Sequence, residues 1–157
     1  MTNLEKFIRK VYNVLHQSPE VNQIVTGVYM HPPIAAQYPY IYIDGGIAKK
    51  NYSLDSSVEN LLTKVYIVDS GTSCLRSYQI MSNVQLALAA FESADDGQII
   101  QDRSEEEQEK GDSSGAAQIV HSRPEITAMS VERQQDARTF QPCWVVDLTL
   151  TVVVCSG

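Results

Sequence analysis

The chain has 157 residues and carries 19 acidic and 12 basic side chains, a formal net charge of −7. It has no apolar run near the roughly 20 residues of a membrane-spanning helix, and its N-terminus lacks the apolar core of a signal peptide. The three cysteines, Cys74, Cys143 and Cys155, are odd in number and far apart, which is typical of free thiols in a reducing compartment. These features predict one soluble, cytoplasmic domain.

The acidic excess is concentrated in residues 92–112. That stretch contains two bases and nine acids: Glu92, Asp95, Asp96, Asp102, Glu105, Glu106, Glu107, Glu109 and Asp112. The remainder of the chain carries ten acids and ten bases, so it is neutral. A neutral remainder lacks the basic footprint that a nucleic-acid-binding protein needs.

The first element is predicted to be a helix over residues 3–16. Thr2 and Glu5 have the spacing of a capping box, which satisfies the free backbone N–H groups at a helix start. Apolar residues then recur at helical spacing: Leu4, Phe7, Ile8, Val11, Val14 and Leu15. The basic residues of the segment are expected on the opposite, solvated face: Lys6, Arg9 and Lys10. Ser18 followed by Pro19 predicts the helix end, because proline disfavours a helical conformation in the residue before it.

A hairpin is predicted next, with strands over residues 38–44 and 58–69 and a turn at residues 49–51. A short strand within residues 24–30 is expected to precede it. The glycine pair at residues 45–46 permits a bulge. Both faces of the second hairpin strand are largely apolar, which favours a central position in the sheet.

Three tyrosines share one face of the first hairpin strand, since Tyr38, Tyr40 and Tyr42 alternate with other residues. Such a row could be a stacking platform for nucleotide bases. Cross-strand packing under a helix is the preferred interpretation, because Lys49 and Lys50 are the only bases nearby.

A second helix is predicted over residues 74–94, with hydroxyl caps offered by residues 70–73. Its buried face is expected to consist of Tyr78, Met81, Val84, Leu88 and Phe91, with Ile80 and Ala87 beside it. Residues 95–117 bury too little apolar surface to offset their ordering entropy, which predicts a long mobile loop. The acidic run from Glu105 to Glu107 could bind a cation, but it lacks the EF-hand spacing, and such runs are more often solvated.

The last strand, over residues 144–155, has the clearest pattern in the chain. Six residues alternate on the face that is predicted to be buried: Trp144, Val146, Leu148, Leu150, Val152 and Val154. A length of roughly 36 Å is long for a strand, so it is expected in mid-sheet and overhanging its neighbours. With one more strand over residues 126–134, the chain predicts an α+β fold, an antiparallel or mixed sheet of four to five strands with two helices packed on one face.

The sequence predicts no catalytic, cofactor or metal site. The three histidines, His16, His31 and His121, do not share a ligand spacing, and neither a CxxC motif nor a phosphate-binding glycine loop occurs. Cys74 is the best candidate for a nucleophile, because a helix N-terminus lowers the pKa of a thiol. Simple packing is the preferred role for it, as for most small, partly buried cysteines.

Several segments follow one another in a recognisable order: the opening helix, SPEVNQIVTGVY at residues 18–29, Pro32-Pro33, YPYIYI at residues 38–43, a strand at 58–68, a helix at 73–90, a strand near Met129 and the apolar terminal strand. This succession spans about four-fifths of the chain and resembles the tail-terminator, or tail-completion, proteins of phages with non-contractile tails. Residues 95–117 depart from the pattern, because they are longer and more acidic than the family's usual connection.

The resemblance implies a structural, non-enzymatic protein of the virion tail that is assembled in the host cytoplasm. It would cap the head-proximal end of the tail tube as a homohexameric ring, end tube polymerisation and form the head–tail joining surface. Its partners would be other copies of itself, the tail tube protein and the head–tail connector protein. DNA would pass through without specific binding, and no membrane would be involved.

Two groups of residues are candidates for contacts on this basis. A subunit or tube interface is predicted at Lys49, Lys50, Val152 and Val154. A channel-lining or exterior position is predicted for Glu105, Glu106, Glu107 and Glu109. A head-closure or connector protein is the nearest alternative, since it shares the small size and ring assembly. A small intracellular thiol enzyme using Cys74 or Cys143 is the distant one.

Overall fold

The computed structural model describes residues 2–52, 57–89 and 124–156. Its helices are α1 (Asn3–Gln17), α2 (Pro19–Asn22) and α3 (Leu75–Ala89). Its strands are β1 (Val28–Tyr29), β2 (Tyr40–Tyr52), β3 (Ser57–Asp69), β4 (Glu125–Gln135) and β5 (Pro142–Ser156). The acidic segment at residues 95–117 lies outside the described residues, so its predicted mobility and the position of Glu105, Glu106, Glu107 and Glu109 stay predictions.

The described strands form one five-stranded sheet in the order β1-β2-β3-β5-β4. β1 runs parallel to β2, and all other neighbours are antiparallel. The mixed sheet with helices confirms the predicted α+β fold. β5 lies between β3 and β4, which confirms its mid-sheet position. β3 pairs with β5 throughout residues 144–156, so the expected overhang is absent on that side.

Capping side chains mark the start of α1 and the boundary between α1 and α2. The Thr2 hydroxyl accepts a hydrogen bond from the Glu5 backbone N–H at 3.1 Å, which confirms the predicted start of α1. Ser18 ends α1, and its hydroxyl accepts from the Val21 N–H at 3.3 Å. The Ser18–Pro19 pair therefore both stops α1 and starts α2, a short helix that was not predicted.

The main core lies between the three helices and one face of the sheet. Val146, Leu148 and Leu150 of β5 are fully buried there, and Val152 and Val154 continue the same row. The predicted register of β5 is confirmed from Val146 to Val154, whereas Trp144 at the start of the predicted row is only half-buried. Alternation over so long a strand leaves only one way to bury the row, because a shift by one residue would expose all of it.

The buried face of α3 agrees with the predicted one at Ile80, Val84, Ala87 and Leu88 but differs from it at Tyr78 and Met81, and the predicted Phe91 lies outside the described residues. Tyr78 is exposed and Met81 is half-buried, while the buried residues are Ser77, Ile80, Val84, Ala87 and Leu88. The helix contains one charged residue, Arg76, so its sequence defines a polar face only weakly. Contact with α2 determines how α3 is rotated about its own axis, since Asn83 Nδ2 donates to the backbone oxygen of Glu20 at 2.9 Å.

Two details of the basic residues also differ from prediction. Lys10 is buried rather than solvated, and the alkyl stem of a lysine is able to cover apolar surface in this way. Lys49 and Lys50 are not in a turn, because β2 continues to Tyr52.

The predicted strand within residues 24–30 is shorter than expected. It is reduced to the two residues of β1.

Candidate functional site

The face of the sheet opposite the helices carries a row of aromatic side chains. Tyr29, Tyr42 and Tyr66 are direct cross-strand neighbours on β1, β2 and β3. The rings of Tyr42 and Tyr66 stack with 4.8 Å between their centroids and 17° between their planes. Cross-strand packing of the tyrosine row is therefore confirmed, whereas its predicted position under a helix is wrong. The helices cover the alternate residues, such as Ile41 and Ile43.

The hydroxyls of Tyr42 and of Tyr40, on the same face of β2, stay neutral at physiological pH. Burial, followed by the nearby Asp136 carboxylate, raises the pKa of Tyr40 to about 12. Burial, followed by Tyr66, raises the pKa of Tyr42 to about 12 as well. Hydroxyls with such pKa values keep their protons near neutrality.

A hydrogen-bonded network joins two loops at one end of the sheet. Tyr38, in the loop before β2, donates its hydroxyl to Asp136, in the turn between β4 and β5. Asp136 also accepts from the backbone N–H of Arg138 at 2.8 Å and from its guanidinium at 3.0 Å. We call Tyr38, Asp136 and Arg138 the loop network. Its members come from segments 98 residues apart in sequence, so it closes only in the folded chain.

Arg138 extends the loop network into the loop before β2. Its Nη1 donates to the backbone oxygens of Pro33 at 2.8 Å and Ile34 at 3.0 Å, and its guanidinium lies 4.7 Å from the Tyr40 ring centroid. Burial alone would raise the pKa of Asp136, but the hydrogen bonds from Tyr38 and Arg138 outweigh it and lower that pKa. A carboxylate satisfied on both oxygens is a structural anchor that fixes both loops.

The predicted interface residues fall into two separate places. Lys49 and Lys50 are exposed on β2, where Lys50 Nζ lies 3.9 Å from Glu59 Oε2. Among the described residues β1 pairs only with residues 41–42, so residues 44–52 of β2 form an open sheet edge. Val152 and Val154 lie two strands away, and both side chains are buried in the core. The structure therefore does not bring the lysines and the valines together on one surface.

The cysteine candidates have different surroundings. Cys143 is buried beside the tyrosine row, and burial raises the pKa of its thiol. Such a thiol is a weak nucleophile, because the thiolate is the reactive form. Cys74 is half-buried just before α3. Across the described ranges, no group of His, Cys, Asp and Glu side chains could hold a metal ion.

Membrane insertion through a helix has no candidate in the part of the chain that the structure describes. None of the helices there combines the length and apolar character needed to cross a bilayer.

No local pattern in the sequence predicted the loop network. Asp136 and Arg138 have the two-residue spacing of a turn, but nothing local indicates that Tyr38 and the 33–36 backbone meet them. The open edge of β2 was missed too, because its hairpin was predicted to turn before residue 52.

No protein-family model and no curated protein matches this chain. Among solved structures, it is similar to a chain of the "virion of native gene transfer agent (GTA) particle", with a TM-score of 0.55 and 14% sequence identity. The match covers 94% of this chain and 92% of the other. The two chains share a fold.

Proposed function

We propose that this protein is a structural component of a phage-like virion. The observation that carries the proposal is the fold shared with a chain of a gene transfer agent virion, over nearly the full length of both chains. The succession of helix, SPEVNQIVTGVY, Pro32-Pro33 and YPYIYI independently resembles a family of phage tail proteins. Fold and sequence therefore support the same class of protein.

Within the virion, the proposed role is to cap the head-proximal end of the tail tube as a homohexameric ring. The ring would end tube polymerisation and present the joining surface for the head. Its partners would be the tail tube protein, the connector protein and further copies of this chain. The open edge of β2 supports an assembling role, since an unpaired strand edge is able to pair with another chain. DNA would pass through without specific binding.

The proposed role is structural rather than catalytic, in the tail of a particle that is assembled in the host cytoplasm. The raised pKa of the Cys143 thiol and the neutral tyrosine row support a packing role for the groups nearest the loop network. A thiol enzyme would need a readily ionised cysteine beside a base.

The test is removal of the protein from a particle-producing system, followed by electron microscopy. We expect tails that are abnormally long or unjoined to heads, beside heads that fill with DNA. Normal-length tails on full heads would overturn the proposal. Normal-length free tails beside leaking heads would replace it with the head-closure function.

The predicted contact at Lys49 and Lys50 is tested in the same system by complementation. The double variant Lys49→Glu/Lys50→Glu is expected to yield fewer joined particles than the parent chain. Gln79→Glu/Ser82→Glu, which adds two acids at exposed positions of α3, is the control and should complement fully. Equal complementation by both variants would remove the lysines from the interface.

A further inference from the structure

The helix side of β4 is incompletely covered. α3 packs mainly on β3 and β5. Met129 on β4 is 50% exposed, and Ile126 and Val131 beside it are only half-buried. Gln85 on α3 lines a cleft together with Glu125 and Ile126, so this flank of α3 faces β4. Tyr78, two helical turns before Gln85 on the same flank, is 40% exposed. We call Tyr78, Ile126, Met129 and Val131 the β4 flank, an apolar strip along one side of the molecule.

The opposite side of the molecule also combines a sheet layer with a helix layer. Its sheet layer is the open edge of β2, where residues 44–51 are all exposed and the apolar Ile47 is 64% exposed. Its helix layer is one row of α1, in which Leu4, Ile8 and Tyr12 recur every four residues and are half-buried. The row lies above β2, since a Cβ at Gly46 would be 2.9 Å from Leu4 Cδ1 and 3.2 Å from Ile8 Cδ1.

The directions of the two edge strands are compatible. β2, β3, β5 and β4 alternate in direction across the sheet, so β4 runs antiparallel to β2. A second copy placed beside the first, without inversion, therefore sets its β2 antiparallel to the first copy's β4. Antiparallel pairing would then continue from one sheet into the next.

Charges at the two edges are complementary. The open part of β2 carries Lys49, Lys50 and Asp44, with a net positive charge, while β4 carries the exposed Glu125, Glu132 and Arg133, with a net negative charge. Glu125 is level with Ile47 across the sheet, because it pairs with Thr151, whose partner Leu62 pairs with Ile47. Glu125 is thus at the same end of the sheet as the two lysines, whereas Glu132 is level with Tyr40 at the other end. Lysines on an edge oppose pairing with another basic edge and favour an acidic one.

We propose that the β4 side of one copy binds the β2 side of a second copy. The sheets join edge to edge, and the α1 row of the second copy covers the β4 flank of the first. The contact joins two different surfaces, so it is head-to-tail and makes a ring when the rotation closes. It deepens the proposed function, on which it rests, by assigning the surfaces that hold the ring together.

Cross-linking tests the contact directly. Ile47→Cys on β2 and Ala128→Cys on β4 are combined in the full chain, and a short bismaleimide is added to the purified protein up to its solubility limit and to isolated particles. We expect a ladder of linked species up to the hexamer. Each single variant is the control for the native cysteines and should not give the ladder. A double variant that links no better than the singles, in solution and in particles, would overturn the proposal.

A second pair of variants, made in the Ile47→Cys/Ala128→Cys background, separates the β4 flank from other exposed apolar residues. Met129→Lys should lower the yield of linked species about tenfold at equal protein concentration, without a change in melting temperature. Leu86→Lys places the same charge on the outer face of α3, where Leu86 is 62% exposed, and should leave the yield unchanged. Equal loss in both, or no loss with Met129→Lys, would contradict the assigned surface.

The proposed tail function and the proposed subunit contact can be disproved independently of each other. A ladder from the double variant, together with normal tails when the protein is absent, would leave the contact in place and remove the tail function. Abnormal tails without a ladder would leave the function and remove this contact.

Discussion

Charged side chains have different surroundings at the two ends of the sheet, which we call the loop end, where the loop network lies, and the hairpin end, where β2 leads to β3. At the loop end, Asp136 is buried and bonded by Tyr38 and Arg138, and it fixes two loops to each other. At the hairpin end, Lys49 and Lys50 are exposed, and Lys50 has one ion pair at 3.9 Å. A buried, multiply bonded charge determines local structure, because leaving its partners unpaired costs several kcal/mol. An exposed charge contributes little to the fold, and it is free to select a partner for the open strand edge.

Asp136→Ala should give the largest change in this comparison. It leaves the Arg138 guanidinium without its carboxylate, and we expect a loss of about 3 kcal/mol in the free energy of unfolding. Urea denaturation at neutral pH measures it. Lys50→Ala, which removes the ion pair with Glu59 at the hairpin end, is the control and should lose less than about 1 kcal/mol. Equal losses at the two ends would show that the loop network is no stronger than a surface ion pair.

Alkaline pH should give the second largest loss of folding stability, and it acts at the loop end. The pKa of Tyr40 is raised to about 12 by burial, so its neutral form is favoured in the folded chain. This contribution is fully present below the ordinary tyrosine pKa near 10 and is lost as the pH rises from about 10 to about 12, on the order of 2 kcal/mol. Urea midpoints across this range should fall less steeply for Tyr40→Phe than for the parent chain. An equally steep fall would exclude Tyr40 as a cause.

Phe140→Gly should change stability by a smaller amount, and in the stabilising direction. Phe140 has a φ of 60° in the turn of the loop network, a conformation that costs an L-residue about 1 kcal/mol, and its ring is 74% exposed. Glycine removes that strain but gains chain entropy on unfolding, so we expect a net gain of about 0.5 kcal/mol. Thermal melts measure it. Gln141→Gly in the same turn has no such strain to relieve and should be destabilising.

Lys50→Ala should have the smallest effect on stability. Its side chain is 57% exposed and its Nζ lies 3.9 Å from Glu59 Oε2, and such pairs contribute about 0.5 kcal/mol or less. The melting temperature should therefore stay within about 2 °C of the parent value. A larger drop would mean that the hairpin end depends on its charges in the way that the loop end does.

Much of the fold could be predicted from the sequence. The cap at Thr2 and the apolar spacing of α1 are local features, and the structure retains both. The alternation from Val146 to Val154 defined the buried face of β5, because strand geometry leaves no other way to cover that row. The sheet and the helices on one face followed from the order of these elements.

The candidate surfaces could be predicted only in part. Lys49 and Lys50 were assigned to an interface, and they do lie on an open edge, but the extent of that edge depends on where the hairpin turns. Val152 and Val154 were assigned with them, although the same alternation that defines β5 places them in the core. A one-dimensional pattern gives the periodicity of a strand, but not which strand lies beside it.

The sequence by itself determined which elements form and which rows they bury, because caps and periodicities act over a few neighbouring residues. Only the tertiary structure decided where those rows lie. Both faces of β2 are rich in apolar side chains, so its pattern could not tell whether the helices cover the tyrosines or the isoleucines. The rotation of α3 and the meeting of Tyr38 with Asp136 likewise depend on contacts between distant segments, which form only when the sheet brings those segments together.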